Sequence, residues 1–319
     1  MHYRRLGQSG LKVSEISLGA WVTFGNQIDE ITSINLIKEA FDQGINFFDN
    51  ADMYANGQAE LVMGKAVADM TREELVISSK VFWPTMKGPN GRGLSRKHIT
   101  ESIHASLKRL GTDYVDLYFC HRYDPDTPVE EVVRTMTDLI HQGKVLYWGT
   151  SEWDAHQIMQ AHGTAREFGL IPPAMDQPQY NLFHRKRVED TVMPVCRELG
   201  LGLTTFSPLY HGMLTGKYNN GIPRGSRASL DDYGWIRDRI TPERIAIVKQ
   251  LTEVENDLDI TPAQLAIAWI LRRKEVSSVI TGATRLEQLD ENLGASEAHE
   301  KLTEIDIDRI FACLGNYQE

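Results

Sequence analysis

INFFDNADMY, residues 45–54, is the stretch on which the fold turns. Its first five residues read as a strand that stops at a carboxylate, Asp49. The loop that follows delivers a phenol, Tyr54. Two later stretches end the same way. ELVISSK (74–80) stops at an amine, Lys80, and YVDLYFCH (114–121) stops at an imidazole, His121. If these strands run parallel, the acid, phenol, amine and imidazole meet at one end of one sheet. Such a set can give a proton to a carbonyl oxygen or take one away.

Working outward, strand-like and helix-like stretches alternate. SEISLGA (14–20) precedes a helical pattern, ITSINLIKEAFDQG (31–44), with Ile34, Ile37, Ala40 and Phe41 at helical period and a Gly44 stop. Residues 95–111 read as a second helix, opened by Ser95 and closed by Gly111. Residues 128–143 read as a third. The strand candidates KVLYWGTS (144–151), PAMDQPQYN (173–181), LGLTTFSPL (201–209) and VSSVITGAT (276–284) complete a set of eight. The markers Asp49, Lys80, His121, Ser151, Gln177 and Ser207 recur every 26 to 41 residues. That cadence predicts repeated strand–helix units with parallel strands. The fold class expected is α/β, a (β/α)8 TIM barrel, as one domain over residues 1–319. HYRRLGQSGLKV (2–13) reads as a short N-terminal β-hairpin that plugs the N-terminal end of the barrel. Residues 208–240 form one long irregular segment, read as a functional lid. The rival, a doubly wound dinucleotide sheet, wants GxGxxG after its first strand, and the sequence has none.

The bulk properties exclude several classes. The chain has 319 residues, 41% hydrophobic, with a formal net charge of −10. That length and apolar share allow a large core. An acidic chain without basic blocks argues against a nucleic-acid partner. Three cysteines, Cys120, Cys196 and Cys313, form no CxxC pair, and Cys120 inside an apolar strand reads as a buried, inert thiol. No apolar signal core opens the chain and no uncharged run is long enough to cross a bilayer, so a cytoplasmic protein is expected. A hydrolase or isomerase on the same barrel needs a metal site or a carboxylate pair. The scattered histidines and the lack of HExxH offer neither, so no metal is expected.

Taken singly, each residue of the quartet has a plain structural reading: Asp49 a turn cap, Tyr54 a rim aromatic, Lys80 an exposed lysine, His121 a polar strand end. Together, at strand ends of one sheet, they point to chemistry. Tyr54 is the natural proton donor. Its phenol is a weak acid at neutral pH. A nearby Lys80 ammonium is expected to lower its pKa, with Asp49 holding Lys80. His121 is expected to orient a carbonyl. These groups carry no electrons, so a nicotinamide is expected to supply hydride. Ser151, Gln177 and Ser207 can bond its carboxamide, or Gln177, which follows Asp176 in an apolar context, is a satisfied core amide. Tyr210 either stacks on its ring or is a core aromatic of the lid. Lys217, Arg227 and Arg285 offer positive charge for phosphate. TGATRLEQLDEN (281–292) places Gly282, Thr284 and Arg285 at the last strand-to-helix turn, where exposed amides can hold phosphate. Gln288, Glu291 and Asn292 either read an adenine or form a solvated helix face. Trp21, Trp83 and Tyr123 either line an apolar substrate pocket or are ordinary rim aromatics.

These residues resemble the aldo-keto reductase family. Asp49, Tyr54, Lys80 and His121 match its catalytic tetrad, and the likeness runs from YRRLGQSGLKVSEISLGAW to LGASEAHEKLTEIDID. GAWVTFGNQID, YWGTSEW, FSPLYHGMLTGKY, GIPRGSRASL and PAQLAIAWILR are similar to the subgroup that contains the β-subunits of voltage-gated potassium channels. The resemblance implies a barrel that binds NADP(H) at its C-terminal mouth and reduces aldehydes or ketones, small-molecule carbonyl substrates. It implies cofactor contacts at Trp21, Ser151, Gln177, Ser207, Leu209, Lys217, Arg227, Gly282, Thr284, Gln288, Glu291 and Asn292. It further implies homo-oligomers, tetramers or larger. His121 stands where the animal channel subunits have asparagine, which favours a working reductase. Gly225 replaces an aromatic that helps to hold the adenosine phosphate. The alternative implied by the subgroup is a nucleotide-binding, redox-sensing accessory subunit of a potassium channel.

Overall fold

The computed structural model describes residues 1–315 and 317, the side chain of residue 232 excepted; of the expected 1–319 domain, residues 316, 318 and 319 lie outside the described set. Two short strands, β1 (Tyr3–Arg5) and β2 (Lys12–Ser14), pair antiparallel as the expected hairpin. Eight further strands follow: β3 (Ile16–Gly19), β4 (Phe47–Asp49), β5 (Val76–Val81), β6 (Val115–Cys120), β7 (Val145–Ser151), β8 (Met175–Gln177), β9 (Gly202–Thr205) and β10 (Val276–Thr281). They close in the order β10-β3-β4-β5-β6-β7-β8-β9, every neighbour parallel. This is the (β/α)8 TIM barrel expected. All eight candidate stretches hold a strand.

Helices return the chain from the end of one strand to the start of the next. Those flanking the first five barrel strands are α1 (Glu30–Asp42), α2 (Gln58–Val67), α3 (Arg96–Leu110) and α4 (Val129–His141). Then come α5 (Ala155–Phe168), α6 (Met193–Leu199), α7 (Pro242–Leu258), α8 (Pro262–Leu271), α9 (Leu286–Leu293), α10 (Ala295–Lys301) and α11 (Glu304–Leu314). Local chemistry sets their ends. The Ser95 hydroxyl accepts from the His98 amide at the start of α3, and Gly111 takes a left-handed φ of 68° at its end. The strand stretches are shorter than the sequence pattern. Ile45 still donates to Ala40 of α1, and the Asn46 side chain accepts from the Ser14 amide, so β4 begins only at Phe47. β5 runs one residue past Lys80.

Strand alternation sorts the side chains into two layers. Phe47, Val76, Leu117, Phe119, Met175 and Ile280 pack inside the barrel, where Leu6 and Val13 of the hairpin join them. The hairpin therefore plugs the N-terminal end. Phe48, Ile77, Tyr118 and Trp148 point outward into the larger core under the helices. The same period that puts Phe47 inside puts Asp49 inside. It does likewise for Ser78 and Lys80 after Val76, and for His121 after Phe119. Register then lines these residues along the C-terminal rim. Asp49 pairs with Gly19, Lys80 with Phe119 and Ser151 with Gln177, and the His121 amide extends the ladder to Val81.

Residues 208–240 carry three short turns of 3₁₀ type, at Tyr210–Thr215, Arg227–Ser229 and Asp231–Arg239. The segment leaves β9 and crosses the mouth to the loop after β3. There Asn26 donates to the Tyr233 hydroxyl at 2.9 Å and Arg227 reaches the Thr23 hydroxyl at 3.5 Å.

Candidate active site

The four residues picked out by the strand ends do converge. Lys80 donates to Asp49 Oδ2 at 2.6 Å, to the Asn50 carbonyl at 2.7 Å and towards the Tyr54 hydroxyl at 3.3 Å. Asp49 Oδ1 accepts from the Ser78 hydroxyl at 2.8 Å and from Gln177 Nε2 at 3.0 Å. The His121 ring meets the Tyr54 ring edge-on, with centroids 5.8 Å apart. Lys80 is fully buried and Asp49 nearly so. A buried ion pair is costly unless its remaining donors and acceptors are satisfied. Here the ammonium has three partners and the carboxylate three, so the network is closed except where it faces the cavity.

Burial governs the proton states. It raises the Tyr54 phenol well above its ordinary range; Asp49 adds to this and Arg122 opposes it. The sequence-level expectation that Lys80 would lower this pKa is therefore corrected. The ammonium stands beside Tyr54, but its charge is matched by Asp49, and loss of water dominates. The phenol is thus held in its acid form at neutral pH. Burial also lowers the Lys80 ammonium, with Asp49 pulling it back up. His121 is pushed well below its usual range, first by burial and then by Lys80 and Arg122, so its imidazole is neutral. Behind the rim, burial raises Asp52 and Asp176 to about 7 each. Cys120 is buried and its thiol is raised by burial, in line with an inert side chain.

A cavity of about 610 Å³ opens over the tetrad. Asp49, Tyr54 and His121 line it, while Lys80 lies behind its wall. Trp21, Ser151, Gln177, Ser207, Leu209, Lys217, Arg227, Gly282, Gln288, Glu291 and Asn292 all face it, as does Arg285. Thr284 does not. Its amide and hydroxyl both donate to Gln288 Oε1, at 2.8 and 2.9 Å, so it fixes a lining residue instead. The Gln177 amide nitrogen is turned to Asp49, and the Ser151 hydroxyl donates to the Gln177 carbonyl at 2.9 Å. Tyr210 is not in the lining. It is buried against Phe183, with Arg239 donating to its hydroxyl at 3.1 Å, so the core reading holds. Phe206, two residues before Pro208, presents a ring to the cavity. Trp83 lines the cavity, whereas Tyr123 packs edge-on against Trp153, centroids 5.0 Å apart.

One arm of the cavity is cationic. Lys217 is lowered to about 8 by desolvation, then by Arg227 and Arg285. Close packing brings these cations in. A Cβ at Gly212, whose φ is +89°, would lie 2.1 Å from Lys217 Cε, and one at Gly282 would lie 3.1 Å from an Arg227 nitrogen. On α9 the Asn292 side-chain nitrogen is buried and has no hydrogen-bond partner. Sequence reading missed Met53, Arg122, Glu152, Gln179, His211, Trp235 and Arg239 in the lining. Only position could have pointed to Arg122 and Glu152, which directly follow His121 and Ser151. Another signal is backbone strain. Among the described residues, Val22, Ala55, Asn56, Glu152, Ser207, Tyr210, His211 and Asp259 are the non-glycine residues with positive φ. All but Asp259, a helix end, lie on mouth loops. Strain of this kind gathers at functional sites.

A parallel barrel whose C-terminal rim holds a buried Asp–Lys–Tyr network under a deep cavity is an enzyme's architecture. The sequence is matched over residues 15–314 by the model of the aldo/keto reductase family. The chain belongs to that family, which implies an oxidoreductase and generally binds a nicotinamide dinucleotide. It is 50% identical over 314 residues to a probable voltage-gated potassium channel subunit beta of Arabidopsis thaliana, covering 97% of this chain and 95% of the relative. A protein of the same description from Oryza sativa subsp. japonica is 49% identical over 318 residues, covering 98% and 97%. Among the described residues, no group of three or more His, Cys, Asp or Glu is placed to hold a metal, and no helix is long and apolar enough to cross a membrane.

Proposed function

We propose that this protein reduces aldehydes and ketones to alcohols with NADPH. The observation that carries the reading is the Lys80 ammonium, 3.3 Å from the Tyr54 hydroxyl and 2.6 Å from Asp49, at the floor of the cavity. The cofactor fits the residues present. Lys217, Arg227 and Arg285 crowd their positive charges together, offset only by Glu291 beside Lys217 and by an exposed pair of Arg285 with Glu287 at 3.6 Å, which suits phosphate oxygens. The unpartnered amide of Asn292, with Gln288 and Glu291, suits an adenine. The nicotinamide, when bound, supplies a hydride to the carbonyl carbon.

The remaining chemistry belongs to the chain. Tyr54 donates its proton to the carbonyl oxygen as negative charge develops there. Lys80 stabilises the phenolate left behind, and Asp49 fixes Lys80. Neutral His121 provides one N–H for the same oxygen. A placed proton donor contributes roughly 100- to 10,000-fold in rate. The buried setting strengthens each of these interactions. The test is to mix the protein with NADPH and a panel of aldehydes and to follow loss of cofactor absorbance. Consumption that depends on aldehyde supports the reading, and none across the panel removes it.

A second reading rests on the names of the two plant relatives. In it the protein is a nucleotide-binding accessory subunit of a potassium channel, assembled as a tetramer or larger. Co-purification with a channel, and an assembly mass several times that of one chain, would favour it. The two readings are compatible.

A further inference from the structure

Arg122 is a cation that the proposed mechanism does not use. It directly follows His121, and its guanidinium donates to the His121 carbonyl. It is half-buried and lines the cavity beside Tyr54, His121 and Trp83. Its Cζ lies 5.7 Å from the Trp83 ring centroid, and that ring lies 6.4 Å from His121. Trp83 thus bridges the imidazole and the guanidinium. Among the described residues, no carboxylate lies within ion-pair distance of Arg122. The nearby acid of the wall, Glu152, is shared: its Oε1 accepts from Arg187 at 3.1 Å and from the Gln179 amide at 2.6 Å. A guanidinium half-removed from water, facing Glu152 and Asp176 only beyond ion-pair distance and opposed by Arg187, is costly, and an incoming anion offsets that cost.

We propose that Arg122 is an anchor for an anionic group on the substrate, and that the preferred substrates are carboxylate-bearing aldehydes whose flat body lies along Trp83. This rests on the reductase reading and names its substrate class. Guanidinium pairs with carboxylate in bidentate fashion. The carboxylate sits at Arg122 while the carbonyl reaches Tyr54 and His121. In the reaction the carbonyl carbon gains a hydride from the reduced nicotinamide and its oxygen gains the Tyr54 proton. The products are the hydroxy acid and the oxidised nucleotide, with the anionic group unchanged. This arm differs from the phosphate arm, where Lys217, Arg227 and Arg285 gather.

The experiment compares 4-formylbenzoate with 4-formylbenzamide, which differ in charge and little in shape. With saturating NADPH, kcat/KM is measured for both on the unmodified chain, on Arg122→Gln and on Arg122→Lys. A charged hydrogen-bonded contact corresponds to a preference of roughly 10- to 100-fold for the carboxylate. The preference should appear in KM, fall close to unity in Arg122→Gln and survive in part in Arg122→Lys. Equal use of the two aldehydes by the unmodified chain, or a preference that survives Arg122→Gln, overturns the anchor. Calorimetry of benzoate against benzamide, in the presence of NADP⁺, reads the anchor without turnover. If neither aldehyde is reduced but benzoate binds more tightly and Arg122→Gln removes the difference, the anchor stands and the reductase reading fails. Benzoate binding no better than benzamide overturns the anchor whatever the turnover.

Discussion

The two ends of the barrel are built by opposite rules. At the N-terminal end, Leu6 and Val13 of the hairpin join Phe47, Val76, Leu117, Phe119, Met175 and Ile280 in a wholly apolar plug. Among the described residues, no non-glycine residue with positive φ lies in that plug. At the C-terminal mouth the same strands present Asp49, Lys80 and His121, all buried, and the loops carry seven strained residues. One end gains stability from burying apolar surface. The other gives up stability to hold charges out of water and backbones in left-handed conformations. The lesson is a division of labour along each strand: entry residues hold the barrel closed and exit residues gather polar groups at the cavity.

The sharpest way to break this contrast is at the mouth. Tyr54→Phe removes only a hydroxyl. Turnover should fall roughly 100- to 10,000-fold while the protein stays folded and its affinity for NADPH stays nearly the same. Unchanged turnover would refute the proton-donor role. The matching change at the plug is Leu6→Ala. It should cost about 2–5 kcal/mol in denaturant unfolding, with turnover per folded molecule unchanged. A large loss of turnover at full folding would mean that the two ends are not independent.

The phosphate arm gives a smaller effect. Arg227→Ala should weaken NADPH by roughly 10- to 100-fold and NADH by less, as read by fluorescence titration. Equal losses for both would mean that Arg227 does not hold the additional phosphate by which NADPH differs from NADH. The last test concerns the outer face just behind the mouth. Asp52 is 2% exposed, accepts from the Ser102 hydroxyl at 2.6 Å and is raised by burial to about 7. Its folded pKa lies above its unfolded value. Between about pH 4 and pH 7 the folded state therefore holds a proton that the unfolded state has lost, and stability falls as pH rises. The slope is about 1.4 kcal/mol per pH unit in that window. Asp52→Asn should lack this slope, so its stability relative to the parent should improve from pH 4 to pH 7. Parallel stability curves for the two proteins would sink the assignment.

Much of the site was legible in the chain because strands have a period of two. Once Asp49, Lys80 and His121 sit at strand exits, alternation and parallel register bring them together with no knowledge of the loops. The loops did not yield in the same way. Tyr210 and Tyr123 sit beside the markers Ser207 and His121, yet Tyr210 turns into the core beside Phe183 and Tyr123 packs on Trp153. Thr284 serves Gln288 instead of the cavity. Arg122, flanking His121, carries no pattern of its own and faces the cavity all the same.

The sequence by itself therefore determined the barrel, the hairpin plug and the meeting of Asp49, Lys80 and His121, since each follows from short-range periodicity repeated along the chain. Only the tertiary structure decided which way the Tyr54 pKa moves, because desolvation depends on how many distant segments close over the phenol. It also decided which loop residues face the cavity. Side-chain direction in an irregular loop is set by packing between residues far apart in sequence, and no local period encodes that.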